Sequence, residues 1–396
     1  MQIMTPESTN QFGALEAQAQ RVVAVFANAG CELVAPAILQ PAGLFLDVVG
    51  EDLRGRTYVF TDLDGTEMCL RPDLTVPTCR LHLERQGDPT QPARYCYNGA
   101  AFRFRPADAP ASSPREFRQA GLELFGDADA AKADAECVAL TFAALKEAGC
   151  GAAQLRLGDL GLFSALLDSL GLPARWRERL RHQFWRPDAF HAELKRLVTP
   201  PDIGKRALPP ALLAELADAD AATAAHLIEA HLAATDREWV GTRTLSEMSE
   251  RLIGIAADMR MLPLTDAKAA IIAQYLTISG APRTVQRQLA DLAREHGLDF
   301  AAALGTFRRR LDLIEEAGVN VDNAYFAAEF GRKFEYYTGF VFEAVAAELG
   351  VASPVAGGGR YDGLFDAVSK GHQIPAVGAA IYTERVLAAV SRGQRA

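Results

Sequence analysis

The feature that most constrains this chain is an interruption: β-rich stretches near both ends of the sequence are separated by a long run of helix formers. On the first side, Arg94–Phe104 and Glu116–Phe125 read as strands. Tyr58–Thr61 and Thr66–Arg71 flank Asp62-Leu63-Asp64-Gly65, whose Asp-Gly end tolerates positive φ and suits a hairpin. On the second side, strand character resumes at Val319–Val321, Ala324–Ala327 and Tyr336–Ala344. Between them, segments such as Pro210–Ala233 and Asp266–Tyr275 are rich in Ala and Leu, with few β-branched residues. Helical periodicity also marks 10–30, 127–145 and 384–390. The expected fold is therefore α+β: a sheet domain whose first part is 1–165, a mainly helical insertion over 166–315, and the rest of the sheet domain over 316–396.

Composition excludes several classes. With 49% apolar and 23% charged residues, and no apolar run near ~18 residues, the chain is neither disordered nor membrane-spanning. Its start, Met1-Gln2-Ile3-Met4-Thr5-Pro6, lacks the basic and apolar regions of a secretory signal, so a cytoplasmic location is expected. The six cysteines form no CxxC pair and no histidine stands beside one at metal-ligand spacing, so they are expected as reduced core residues. A formal charge of -9 gives no global attraction for nucleic acid. GxSxG, HExxH, GxGxxG and EF-hand patterns are absent, and no cofactor or metal is implied. The seven scattered histidines suit surface or core roles.

Side chains alternate across a strand, so Gln119, Gly121 and Glu123 share one face while Ala120, Leu122 and Leu124 share the other. The second face is core. The first is an acidic, hydrogen-bonding floor on which glycine leaves room for something to lie. The same alternation puts Phe102 and Phe104 on one face of their strand, opposite Arg103 and Arg105. One ligand bearing both an ammonium and a carboxylate answers both fronts, which is the charge signature of a free amino acid. A solvent-facing sheet with ordinary cross-strand ion pairs would read the same way. Leu70–Thr75 sets Asp73 and Thr75 just after a strand, where ligand loops and plain turns both occur. Gly331–Gly339 interleaves cations and aromatics, as would a site or a charged edge strand. In Ala356–Gly363 three glycines permit close backbone approach to a ligand, to which Arg360 would add charge, or simply make a turn.

In this order, the segments resemble class II aminoacyl-tRNA synthetases, and the histidyl-tRNA synthetase family in particular. The resemblance is carried by Arg71-Pro72-Asp73, Phe102-Arg103, Arg115–Gln119 with Gly121–Gly126, Arg332–Gly339, Gly357–Leu364, and Pro375–Gly378 with Glu384-Arg385. It covers roughly 30–126 and 319–390, and the helical block only by position. It implies a class II antiparallel sheet flanked by helices and a pocket for histidine. Asp73, Thr75 and Gln119 would receive the amino group, Arg103 the carboxylate, and Glu123 with Tyr337 the two imidazole nitrogens. Tyr97 would help close the pocket, Tyr336 would line it, and Arg332 would neutralise negative charge at the carboxylate.

The departures are informative. Tyr382 stands four residues after Gly378 where the family's ATP motif has a glycine, so the opening for a nucleotide would meet a phenol ring. Leu74 replaces a glycine and Arg118 a histidine, and the run 102–106 is a residue short and lacks its acidic member. Only eleven residues follow Arg385, too few for an anticodon-binding domain of roughly 50 residues or more. A synthetase-like amino-acid pocket without a tRNA-reading domain is similar to the regulatory subunits of short-form ATP phosphoribosyltransferase. That resemblance implies no catalysis, no tRNA and no membrane. It also implies a dimer within a hetero-oligomer with a separate short catalytic chain, and L-histidine as the ligand. A histidine-adenylating ligase acting on a small acceptor is the alternative.

Overall fold

The computed structural model describes residues 9–46, 55–105, 114–199, 209–235, 244–331 and 336–394. Its strands are β1 (Glu32–Leu33), β2 (Leu39–Pro41), β3 (Val59–Thr61), β4 (Glu67–Leu70), β5 (Ala93–Phe102), β6 (Glu116–Phe125), β7 (Gln154–Asp159), β8 (Ser279–Gly280), β9 (Tyr325–Ala327), β10 (Phe340–Val345), β11 (Ala356–Arg360) and β12 (Ala376–Tyr382). β5 and β6 pair antiparallel along their whole length, from Ala93 opposite Phe125 to Phe102 opposite Glu116. They seed a sheet in the order β1-β5-β6-β12-β11-β10-β7-β9-β8, antiparallel except for β1 with β5 and β7 with β9. The expected hairpin is β3 and β4, which pairs with β2 as a separate three-stranded sheet.

One face of the main sheet is covered by helices Thr9–Asn28 and Ala130–Glu147, the first ending just before Gly30 at φ +85°. The other face holds an aromatic core of Tyr95, Phe125, Tyr361 and Phe365, closed by helix Thr75–Arg85 through Val76 and Cys79. The six cysteines are all buried thiols.

The described residues fall into two compact units: those up to Trp185 together with those from Ile272 onward, and Arg186–Ile271. The second has its own core of Leu212, Leu213, Leu216, Ala224, Ile228 and Ala256. It is narrower than the 166–315 block drawn from composition. Helices Ala174–Gln183, Pro282–His296 and Ala301–Glu316 lie in the unit that holds the sheet. Helix propensity reports that a segment is helical, and says nothing about which core its apolar face enters.

Four strand readings differ from the sequence by more than a residue, and one of them, the run read from Tyr336, is a strand only from Phe340 to Val345. The first long run ends at Phe102, where the Phe102 N–H turns to Arg71 O at 3.0 Å. Val319–Val321 is not a strand, because the Asn320 side chain accepts from the Asp322 and Asn323 N–H groups and makes a local turn instead. Gly357–Gly359, read as a glycine turn, is the middle of β11, between β10 and β12. A Cβ on Gly358 would lie 2.3 Å from Gly378 O, so glycine serves close strand packing there.

His82 is a fully buried core residue, edge-on to Phe125, Phe365 and Tyr95 with centroids 5.2–5.7 Å apart. Its Nε2 lies 2.8 Å from Pro89 O and its Nδ1 3.1 Å from Tyr95 Oη. A carbonyl only accepts, so Nε2 carries the proton and Nδ1 accepts from the phenol. Burial lowers its pKa from the usual 6.5. The unfolded chain therefore takes up a proton near pH 6.5 that the folded one resists, and this contribution to stability is lost as pH falls below that value. Urea midpoints for wild type and His82→Gln are expected to converge between pH 7 and 5. A constant gap across that range would refute the neutral imidazole.

Candidate functional site

The expected floor forms on β6. Gly121 faces Tyr97 across the β5 register, while Glu123 faces Gly378 and Gln119 faces Tyr382 across the β12 register. Glu123 has no exposed surface. Its Oε1 accepts from the Thr75 hydroxyl at 2.8 Å and the Tyr97 phenol at 3.0 Å, and its Oε2 accepts from the Tyr361 phenol. Glycine at 378 is what admits this carboxylate, because a Cβ there would sit 1.6 Å from Oε2. Burial pushes the Glu123 carboxyl up to about 8; the three hydroxyl donors oppose that rise and the negative charge of Asp73 adds to it.

Asp73 and Thr75 are set by the start of helix Thr75–Arg85. Asp73 Oδ1 accepts from Val76 N–H at 3.2 Å, a side-chain contact with the helix's first turn, whereas Oδ2 is buried with no hydrogen-bond partner among the described residues. Burial raises Asp73 to about 6, against the pull of Arg103, the Val76 and Thr75 N–H groups and Arg71. Gln119 Oε1 is a second buried oxygen without a partner among the described residues. The two belong to one neighbourhood, because Gly99, opposite Gln119 on β5, lies under the side chains of Arg71 and Leu74. Arg103 donates from Nε to Pro72 O at 2.9 Å and stands 4.8 Å over the Phe117 ring. The Tyr336 and Tyr337 rings lie 4.8 Å apart, tilted by 48°, both edge-on to Tyr361 at 5.7 and 6.3 Å.

The structure thus brings Thr75, Tyr97 and Glu123 into one hydrogen-bonded group, with Asp73, Arg103 and Gln119 along its edge. Tyr336 and Tyr337 reach it through Tyr361. Arg332 lies outside the described residues. Two expectations are corrected. The room left by Gly121 is taken by the protein itself, since a Cβ there would lie 2.6 Å from the Tyr97 phenol oxygen. Arg360 serves no ligand: it is buried against Asp134, with Nε 2.9 Å from Oδ1, and bonds Asp362 at 2.8 Å. Tyr361 was missed. Its only signal was its position after three glycines, which spoke for a turn.

Among the described residues, no cluster of His, Cys, Asp and Glu is arranged to hold a metal ion, and no helix is long and apolar enough to cross a membrane. The arrangement gathers buried oxygens that lack donors beside a partly protonated carboxyl pair. Such oxygens can receive N–H groups.

The histidyl-tRNA synthetase family model matches residues 6–260 and 253–386. Two solved structures share the fold. An ATP phosphoribosyltransferase regulatory subunit/histidyl-tRNA synthetase from Bacillus halodurans aligns with TM-score 0.68 and 20% identity over 98% of this chain and 82% of that one. Histidyl-tRNA synthetase from Nostoc aligns with TM-score 0.62 and 14% identity over 99% and 77%. The fold is that of a histidyl-tRNA synthetase-like class II protein. More specific relatives are the ATP phosphoribosyltransferase regulatory subunits of Mesorhizobium japonicum, 36% identical over 96% of this chain and 98% of that protein, and of Brucella canis, 34% identical over 92% and 94%. The chain belongs to the family of ATP phosphoribosyltransferase regulatory subunits.

Proposed function

We propose that this chain is the non-catalytic regulatory subunit of a short-form ATP phosphoribosyltransferase. It is required for activity of a separate short catalytic chain, and it makes the first step of histidine biosynthesis sensitive to histidine. Kinship along nearly the whole chain supports the regulatory role. The observation that carries the ligand is the pair of buried acceptors without partners, Asp73 Oδ2 and Gln119 Oε1. An amino acid's ammonium supplies the missing donors, and leaving such oxygens unmet costs about 1–3 kcal/mol each.

In this reading Asp73, Thr75 and Gln119 take the ammonium, and Arg103 with Arg332 the carboxylate. Glu123 and Tyr337 serve the imidazole nitrogens, with Tyr97 and Tyr336 closing around the ring. Glu123 reaches the ligand by exchanging one of its three hydroxyl partners. Two copies sit as a dimer within a hetero-oligomer. Feedback follows from linkage: histidine binds the inactive assembly more tightly than the active one, with coupling of about 1–3 kcal/mol.

The test is reconstitution. Added to a short catalytic chain, this protein is expected to confer phosphoribosyltransferase activity that histidine inhibits. Asp73→Ala and Gln119→Ala are each expected to weaken histidine binding by about tenfold in calorimetry, from one lost charge-assisted hydrogen bond, while activation persists. Unchanged affinity in both variants would place the histidine site elsewhere.

A further inference from the structure

The parallel neighbours β7 and β9 are each entered from a helix that ends in a left-handed glycine. Helix Ala130–Glu147 closes with Gly149 at φ +88° before β7, and helix Ala301–Glu316 with Gly318 at φ +86° before β9. A cavity of about 800 Å³ lies between these two connections. Part of its lining is apolar, with Leu155 and Val319 buried and Phe142 half-buried. The Gln154 side chain donates to Asn323 O at 2.9 Å and ties β7 to the loop before β9. In that loop Asn320 Oδ1 holds the Asp322 and Asn323 N–H groups.

The two charged side chains of the lining have opposite sign and stand on different connections. Lys146 is in the last turn of the helix before β7, and Asp322 is in the loop before β9. Among the described residues neither has an ion-pair partner, and the two do not reach each other. Both are exposed, so a ligand meets them without the fold opening. The lysine stem lies against Gly151, where a Cβ would sit 3.4 Å from Lys146 Cγ. Beside it, the N–H groups of Gly151 and Ala152 bond to no other described residue. One end of the cavity therefore offers donors and the other a carboxylate. An anion would satisfy only Lys146 and a cation only Asp322, and each would face a like charge across the cavity.

We propose that this cavity binds a zwitterion with an apolar body, a free amino acid or short peptide with a non-polar side chain, its carboxylate on Lys146 and its ammonium on Asp322. The volume falls in the upper part of the range for small-molecule sites, about 300–1,000 Å³. The inference goes beyond the histidine reading and shares no residue with it.

Calorimetry on the full chain at low salt, with leucine and alanyl-leucyl-alanine as probes, tests it. Saturable binding of one molecule per chain is expected; tighter binding of leucine marks a free amino acid as the ligand, and tighter binding of the tripeptide marks a peptide. Acetylating the amine of the tighter probe and amidating its carboxylate are each expected to weaken it about tenfold, as loss of one charge-assisted contact should. Lys146→Met is expected to abolish the penalty of amidation, and Asp322→Asn that of acetylation, because each variant has already lost the contact concerned. Asp73→Ala, which tests the histidine pocket, is expected to leave probe affinity unchanged. The proposal is overturned if neither probe binds, if the blocked forms bind as tightly as the free ones, if both variants keep the discrimination of wild type, or if Asp73→Ala abolishes binding.

Discussion

Asp134→Ala is expected to lower stability by about 3–5 kcal/mol, the cost of stranding buried charges. Asp134 lies on helix Ala130–Glu147 with no exposed surface. One of its oxygens accepts from Arg310 Nε at 2.8 Å and the other from Arg360 Nε at 2.9 Å. Arg310 also binds Asp159 at 2.6 Å, and Asp159 caps helix Leu160–Ser169 through Gly161 N–H at 2.8 Å. Arg360 also binds Asp362, which accepts the Ala376 N–H at 2.8 Å. The chain of contacts joins three helices, Ala130–Glu147, Leu160–Ser169 and Ala301–Glu316, with the end of β7 and the ends of β11 and β12. Removing its central carboxylate leaves two guanidiniums, 4% and 6% exposed, with one carboxylate each, Asp159 for Arg310 and the half-exposed Asp362 for Arg360, and their Nε donors unmet. Urea unfolding measures the loss. A change under about 1 kcal/mol would mean that water reaches the arginines. Asp134→Leu combined with Arg310→Met, Arg360→Met and Asp159→Asn, the last keeping the cap on Gly161 N–H, is expected to recover most of the loss, because an uncharged set of similar volume removes the buried charges together.

How much of this was legible in the sequence depends on the range of the interaction. Alternation along Glu116–Phe125 gave β6 at its observed bounds, with the Gln119, Gly121 and Glu123 face turned to the site, because a strand's two faces are written into its own residues. The ionic group around Asp134 left no local trace. Its members are separated by up to 226 positions, and Arg360 followed three glycines that looked like a turn. Those glycines answer to packing between strands, which only the sheet order reveals. Tyr361 was lost for the same reason. The departure at Tyr382 was visible only against the synthetase pattern, and the structure gives it a physical form: a buried phenol under the Arg385 guanidinium, its ring 6.1 Å from that of Phe117. The helical middle was easy to see and hard to assign, since amphipathic helices on either side of Arg186–Ile271 turn their apolar faces to the core of the sheet unit.

Glu123 carries the other large effect, and pH separates its two roles. Glu123→Ala leaves the Thr75, Tyr97 and Tyr361 hydroxyls without their common acceptor and opens a void, so a loss of about 3 kcal/mol or more is expected together with weakened histidine binding. That variant alone cannot tell core from site. Glu123→Gln keeps the volume and one carbonyl acceptor, and removes only the charge. The folded carboxyl titrates at about 8 against an ordinary 4.5, so the folded state holds a proton that the unfolded chain has released between those values. Stability of the wild type must therefore fall as pH rises through that window, with the full loss present above the folded value. Glu123→Gln cannot lose that proton. Its urea midpoint relative to wild type is expected to climb from pH 5 to pH 8 and level off above. A flat difference would mean that the carboxylate is already ionised and satisfied by its hydroxyls. In calorimetry at pH 7 the two states predict different binders: a protonated acid and a glutamine amide both donate to an imidazole nitrogen, whereas an ionised carboxylate only accepts. Histidine affinity of Glu123→Gln within about threefold of wild type, with Glu123→Ala weaker by tenfold or more, would assign Glu123 as the donor to the imidazole.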